Sequence, residues 1–136
     1  MNHTPNQTPY DILGGDQAVR RLVVKFYELM DTLPEVKTLR DIHGKDLSNA
    51  IDKLYKFLSG WLGGPQLYIQ EYGHPRLRAR HMPFPIDETQ RDQWLYCMFK
   101  AMDELKVDAA LQQQLKQAFT QTADHMINQR PLNIRN

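Results

Sequence analysis

Residues 73–86, Gly-His-Pro-Arg-Leu-Arg-Ala-Arg-His-Met-Pro-Phe-Pro-Ile, hold the densest group of side chains able to do chemistry. Pro75 and the Pro83-Phe84-Pro85 stop bracket a short Arg-rich turn of helix that ends on His81. A neutral imidazole there is a good ligand for a transition metal or a haem iron, its second nitrogen being held by a backbone carbonyl. The other reading is a partly buried polar residue ending a helix, a place the helix dipole favours. At helical spacing Leu77 and His81 share one side and Arg76 and Arg80 another. Arg76, Arg78 and Arg80 suit carboxylates through bidentate, charge-assisted bonds, and haem carries two propionates. A solvated cationic helix, or one contacting phosphate or nucleic acid, draws on the same residues. The net charge of +1 and the lack of a basic-aromatic platform weaken the nucleic-acid reading.

Three further residues lie outside this segment. Tyr27 sits on an apolar helical face beside Phe26. Its hydroxyl needs a partner, which is either a backbone group of the core or a bound polar ligand. Trp94 carries the same two readings through its indole N–H. His43, between Ile42 and Gly44, reads as a corner histidine exposed in a connection. Cys97 lies next to Met98 on an apolar face and looks inert. A zinc site from His74 and His81 lacks partners at familiar spacing, and Gly14-Gly15 and Gly63-Gly64 fit helix ends better than a phosphate loop.

The elements that must position these residues are helical. Val19, Leu22, Val23, Phe26, Tyr27 and Met30 recur at steps of three and four, giving a helix to about residue 31 with Asp16 as its N-cap. Leu47, Ile51, Leu54, Phe57, Leu58 and Trp61 form a second stripe over 47–62. Helices at about 87–105 and 108–128 follow, and a short one spans about 9–13. No segment alternates with period two, so the chain is expected to be all-α. A polar stretch at 1–8 and another at 130–136 read as tails around one domain, 9–129. Between Gly63 and Ile86 only the brief helix at 75–81 is expected. A connection that long is uncommon unless it is functional, and a bound cofactor would hold it.

Bulk properties narrow the rest. The 136 residues are the size of one domain with a real core, and 41 % apolar with 24 % charged residues suits a soluble globular chain. One cysteine excludes an intrachain disulfide and suits a reducing compartment. No apolar run reaches the roughly 18 residues of a membrane span. The N-terminus lacks a signal-peptide apolar core, so the expectation is a cytoplasmic protein without membrane or nucleic-acid partners.

Phe57-Leu58, Gly63-Gly64-Pro65, Tyr68 and the whole of 73–86 together form a specific pattern, extended by Phe26-Tyr27 and by Arg91-Asp92-x-Trp94-Leu95-x-Cys97-Met98. Over nearly all of 9–129 the chain resembles the truncated, 2-on-2 haemoglobins, and among them group II. The resemblance implies a truncated globin fold, a 2-on-2 helical sandwich around haem b. It implies that His81 is the proximal iron ligand, and that Tyr27 and Trp94 meet the bound ligand on the distal side. It places Ala50 and Leu54 at distal positions, and Tyr68, Arg78, Arg80 and Lys53 near the propionates. Phe57, Leu77, Phe84, Ile86 and Met98 are expected to pack on the porphyrin. His43 falls at the family's variable corner position, with two roles open to it: donating an N–H to bound ligand, which is the favoured one, or ligating iron at the sixth position. The implied ligands are O2, NO and CO. Several polar donors imply tight O2 binding with slow release, hence NO dioxygenase or peroxidase-like chemistry with an external reductase. A sensor or store without turnover is the alternative, and outside haem chemistry a helical anion- or nucleic-acid-binding module.

Overall fold

The computed structural model describes residues 7–129. Among them the regular structure is helical: α1 (Pro9–Leu13), α2 (Asp16–Thr32), a 3-10 turn (Pro34–Val36), α3 (Lys37–Asp41), α4 (Ser48–Trp61), α5 (Leu67–Tyr72), α6 (Leu77–His81), α7 (Glu88–Glu104) and α8 (Ala109–Asp124). The long helices pack as two pairs, α2 with α4 and α7 with α8, and α2 crosses against α7 to join them. Their apolar stripes meet in one core, where Val19, Leu22, Val23 and Phe26 of α2 pack with Leu58 of α4, Met98 and Met102 of α7 and Phe119 of α8.

Local chemistry explains the ends. Thr8 caps α1 in a reciprocal capping box with Asp11, so it belongs to the fold and not to the expected tail at 1–8. Residues 1–6 and 130–136 of the expected tails lie outside the described residues. Gly15, not Asp16, stands at the α2 N-cap, with a positive φ of 83° that glycine tolerates. Asp16 is instead the first helical residue, bonded to Arg20 and to the Tyr55 hydroxyl. At Gly64 a Cβ would lie 2.4 Å from the Tyr10 ring, so a side chain there would push α1 off the end of α4. Asp87 caps α7 by accepting from Thr89 and Gln90 N–H, while the Gln90 side chain returns a bond to the Asp87 N–H.

Two short helices fall in stretches expected to be connections. α3 occupies the chain before His43, tied to α7 by the Leu39 N–H donating to Gln93 Oε1 at 2.8 Å. α5 lies between Pro65 and Gly73, anchored by the burial of Tyr68. α6 begins at Leu77, because Arg76 sits in the left-handed region (φ 44°) and cannot open the helix from Pro75. α8 stops at Asp124, four residues short of the expected end, and 125–129 turn back toward Ile86.

Candidate functional site

His81 closes α6, and its Nδ1 lies 2.7 Å from the Leu77 carbonyl one turn earlier. A carbonyl only accepts, so in the neutral ring Nδ1 carries the proton and Nε2 presents a lone pair. That is the state in which an imidazole ligates a metal. Among the described residues no three His, Cys, Asp or Glu side chains converge as a metal-ion site. A single imidazole suffices where a macrocycle supplies the other ligands.

On the α2 side, Tyr27 is buried in the core, edge-on to Phe26 at 4.9 Å and to the His43 ring at 6.0 Å. Its hydroxyl has no hydrogen-bond partner among the described residues. Burial raises its pKa, so it stays protonated and available as a donor. Trp94 of α7 packs on Phe26 at 5.1 Å and on Phe119 at 5.5 Å. His43, Tyr27, Phe26 and Trp94 thus form one continuous run of ring contacts from the corner after α3 to the middle of the core.

The His43 Nδ1 lies 3.0 Å from the Leu39 carbonyl, so in the neutral ring the proton sits on Nδ1 and Nε2 is an acceptor. Burial lowers the pKa, opposed by the Leu39 bond and reinforced by the charges of Arg40 and His81. Neutral His43 therefore offers a lone pair and not an N–H. Arg40 fixes the corner by bonding Asp31 (2.9 Å) and the Gly44 and Lys45 carbonyls (2.9 and 3.1 Å).

A cationic rim forms around α5. The Arg80 guanidinium stands 5.5 Å from the centre of the Tyr68 ring and donates to the Tyr72 and His74 carbonyls, each at 3.2 Å. Lys53 of α4 stands 5.5 Å from the Tyr72 ring. Nearby Lys56 is neutralised by Asp52 and Glu71. Among the described residues Lys53 and Arg80 have no carboxylate partner, which leaves two cations for two carboxylates of a ligand.

A model of the family described as bacterial-like globin matches residues 8–128. The chain is 41 % identical over 121 residues, 89 % of either chain, to "Group 2 truncated hemoglobin YjbI" of Bacillus subtilis (strain 168). The chain belongs to the bacterial-like globins, in their group II truncated class. Its fold matches the cold-adapted truncated haemoglobin of Pseudoalteromonas haloplanktis TAC125 at a TM-score of 0.89 and 48 % identity, covering 91 % of this chain and all (100 %) of that one. It matches the group II 2-on-2 haemoglobin of Agrobacterium tumefaciens at 0.90 and 45 % identity, covering 95 % and 100 %. The two crossed helix pairs are therefore the 2-on-2 sandwich, and the cofactor of the family is haem b.

The residues of this globin fit that group. His81 has a free Nε2, the buried Tyr27 hydroxyl lacks a protein partner, and two unpaired cations stand on the α5 rim. Ala50, Leu54, Phe57 and Leu77 are half-buried, Ile86 is buried, and Met98 is fully enclosed in the core. Phe84 is 44 % exposed and stands outside the core. As Arg80 Nη2 does to two carbonyls on the α5 side, Arg78 Nη1 donates to the carbonyls of His125 (2.6 Å) and Ile127 (2.9 Å) beyond α8. A cavity of about 780 Å³ opens on that side of α6, walled by Phe57, Trp61, Leu77, Met126 and Ile127; His81, Tyr27 and Trp94 do not line it. Cys97 is sealed in the core with its thiol pushed up to about 11 by burial, so it is unreactive at neutral pH.

Sequence reasoning missed Tyr72, Gln93 and Asn128. Tyr72 carried a signal, standing four residues after Tyr68 on the same face of a helix. Gln93 and Asn128 act over distances of 54 and at least 42 residues, and no local pattern marks them.

Proposed function

We propose that this globin holds O2 and other diatomic ligands tightly in a polar distal pocket and uses them in redox chemistry, turning over NO, peroxide or related species with electrons from a separate reductase. The observation that carries the reading is the set of polar heads joined by ring contacts on the α2 side: the Tyr27 hydroxyl, the Trp94 indole N–H and the His43 Nε2. Haem b supplies the ligand-binding iron and its electron chemistry. His81 anchors it through Nε2, and the Leu77 carbonyl keeps that nitrogen free of its proton. Tyr27 and Trp94 donate to a small ligand that gains negative charge, as preorganised donors do in an oxyanion hole. Neutral His43 packs edge-on against the Tyr27 ring and keeps its Nε2 as an acceptor. In the second role its Nε2 would itself be a ligand to the haem iron. Lys53, Arg80 and Tyr68 hold the propionates. Several donors slow ligand escape, which suits reaction of the held ligand better than delivery of it.

Absorption spectroscopy tests the anchoring half of this reading. Purified protein reconstituted with hemin shows a strong Soret band that His81→Ala weakens or shifts; identical spectra for the two would remove His81 from the iron. Comparing ferric and deoxy-ferrous spectra of wild type and His43→Ala then separates the two His43 roles, since a spin state unchanged by the mutation rules out ligation.

A further inference from the structure

α6 carries the proximal histidine on five residues and buries none of them fully. Hydrogen bonds therefore hold it: Arg80 reaches the Tyr72 and His74 carbonyls on one side, and a larger set comes from the turn that follows α8. Asn128 Nδ2 donates to the His81 carbonyl at 3.2 Å and to the Phe84 carbonyl at 3.0 Å. Its Oδ1 accepts from the Ile86 N–H at 3.0 Å. The backbone N–H groups of Asn128 and Gln129 both end on the Ile86 carbonyl, at 2.9 and 3.0 Å. On the other side of the same turn, Arg78 reaches from α6 to the carbonyls of His125 and Ile127. The closure has a chemical reason. Pro83 and Pro85 have no N–H, so the segment between α6 and α7 cannot extend the helix; the Phe84 N–H returns to the His81 carbonyl at 3.0 Å, and Asn128 adds a second donor there. A carboxamide supplies two donors and one acceptor in a single group, and here all three are engaged.

We propose that Asn128 is a positioning residue for the proximal histidine: its carboxamide fixes the His81 main chain and so the direction in which Nε2 points. The proposal rests on His81 being the iron ligand. Outer partners that orient a ligating histidine control both the strength and the geometry of its bond to the metal. A carboxylate at the same position can accept from Ile86 but cannot donate to either carbonyl, so Asn128→Asp inverts two of the three bonds at nearly constant shape. Asn128→Ala removes all three, leaving the His81 carbonyl with the Phe84 N–H alone, which keeps the comparison usable if the carboxylate blocks folding.

Two measurements read the proximal side of the haem-loaded protein: the iron–histidine stretching line of the ferrous form by resonance Raman, and hemin transfer to excess apomyoglobin. Both variants should shift or broaden the line and release hemin roughly tenfold faster than wild type. The C–O stretch of the CO complex reports the distal side and should keep its wild-type position. An unchanged line with transfer within about twofold of wild type in both variants overturns the proposal. So does a C–O stretch that moves together with a fall in helicity, which would make Asn128 a general stabiliser. Absence of any iron–histidine line in both wild type and His43→Ala overturns the reading of His81 itself, and this proposal with it.

Discussion

Tyr27→Phe separates the two demands placed on the α2 face, because it deletes one oxygen and keeps the ring. The contacts to Phe26 at 4.9 Å and His43 at 6.0 Å are made by the ring, so packing survives. In the ligand-free state the lost hydroxyl has no partner among the described residues, and a buried unsatisfied hydroxyl costs about 1–3 kcal/mol. Removing it should raise the stability of the ligand-free protein by about 1 kcal/mol, seen as a higher urea midpoint at unchanged slope. With O2 bound the sign reverses. A hydrogen bond to a ligand carrying negative charge is worth about 1.5–3 kcal/mol, which corresponds to a dissociation rate roughly 10 to 150 times faster once it is gone. Stopped-flow displacement of O2 by CO gives that rate directly. Trp94→Phe should act in the same direction, and the double variant should be the fastest. An off-rate in Tyr27→Phe within about twofold of wild type would refute the donor model. A stability loss in the ligand-free state would refute the account of its hydroxyl.

The other expectations follow from charge. Burial depresses the His43 pKa below its ordinary 6.5, so the unfolded chain binds more protons there than the folded one. Its contribution to stability is therefore complete above about pH 6.5 and is lost as pH falls through the folded value; His43→Phe should flatten that part of the urea-stability profile between pH 7 and 5, and an unaltered profile would contradict it. Protonation also adds an N–H at Nε2, so O2 release should slow in the same acidic range in wild type and not in His43→Phe. At the rim, Lys53→Gln and Arg80→Gln should each speed hemin loss by a few-fold, increasingly at low salt, since both cations are exposed and screened.

The four long helices and the core face of each were legible in the sequence, because Val19 to Met30, Leu47 to Trp61 and the stripes of α7 and α8 repeat strongly over several turns. α3 and α5 were not. Each is less than two turns long, lies beside proline or glycine, and is held by tertiary contacts (Leu39 to Gln93, Tyr68 into its pocket) that outweigh weak local propensity. Missing α3 also hid the state of His43. His43 bonds the carbonyl four residues back, as His81 does, and that pattern can be read only once a helix is known to end there. Arg78 shows the opposite limit. Its place in α6 was readable, but its partners come from residues 47 and 49 positions later, after α8 has ended and turned back. Asn128, assigned to the body of the last helix by periodicity, lies beyond that helix for the same reason.

The central claim is that the distal groups hold a ligand for reaction and not for release. Rapid mixing of NO with the haem-loaded, O2-bound ferrous protein tests it most directly. Nitrate and ferric protein should form in equal amounts, much faster than O2 leaves. Replacement of O2 by NO at the rate of O2 release, with ferrous NO-bound protein as the product and no nitrate, would contradict it.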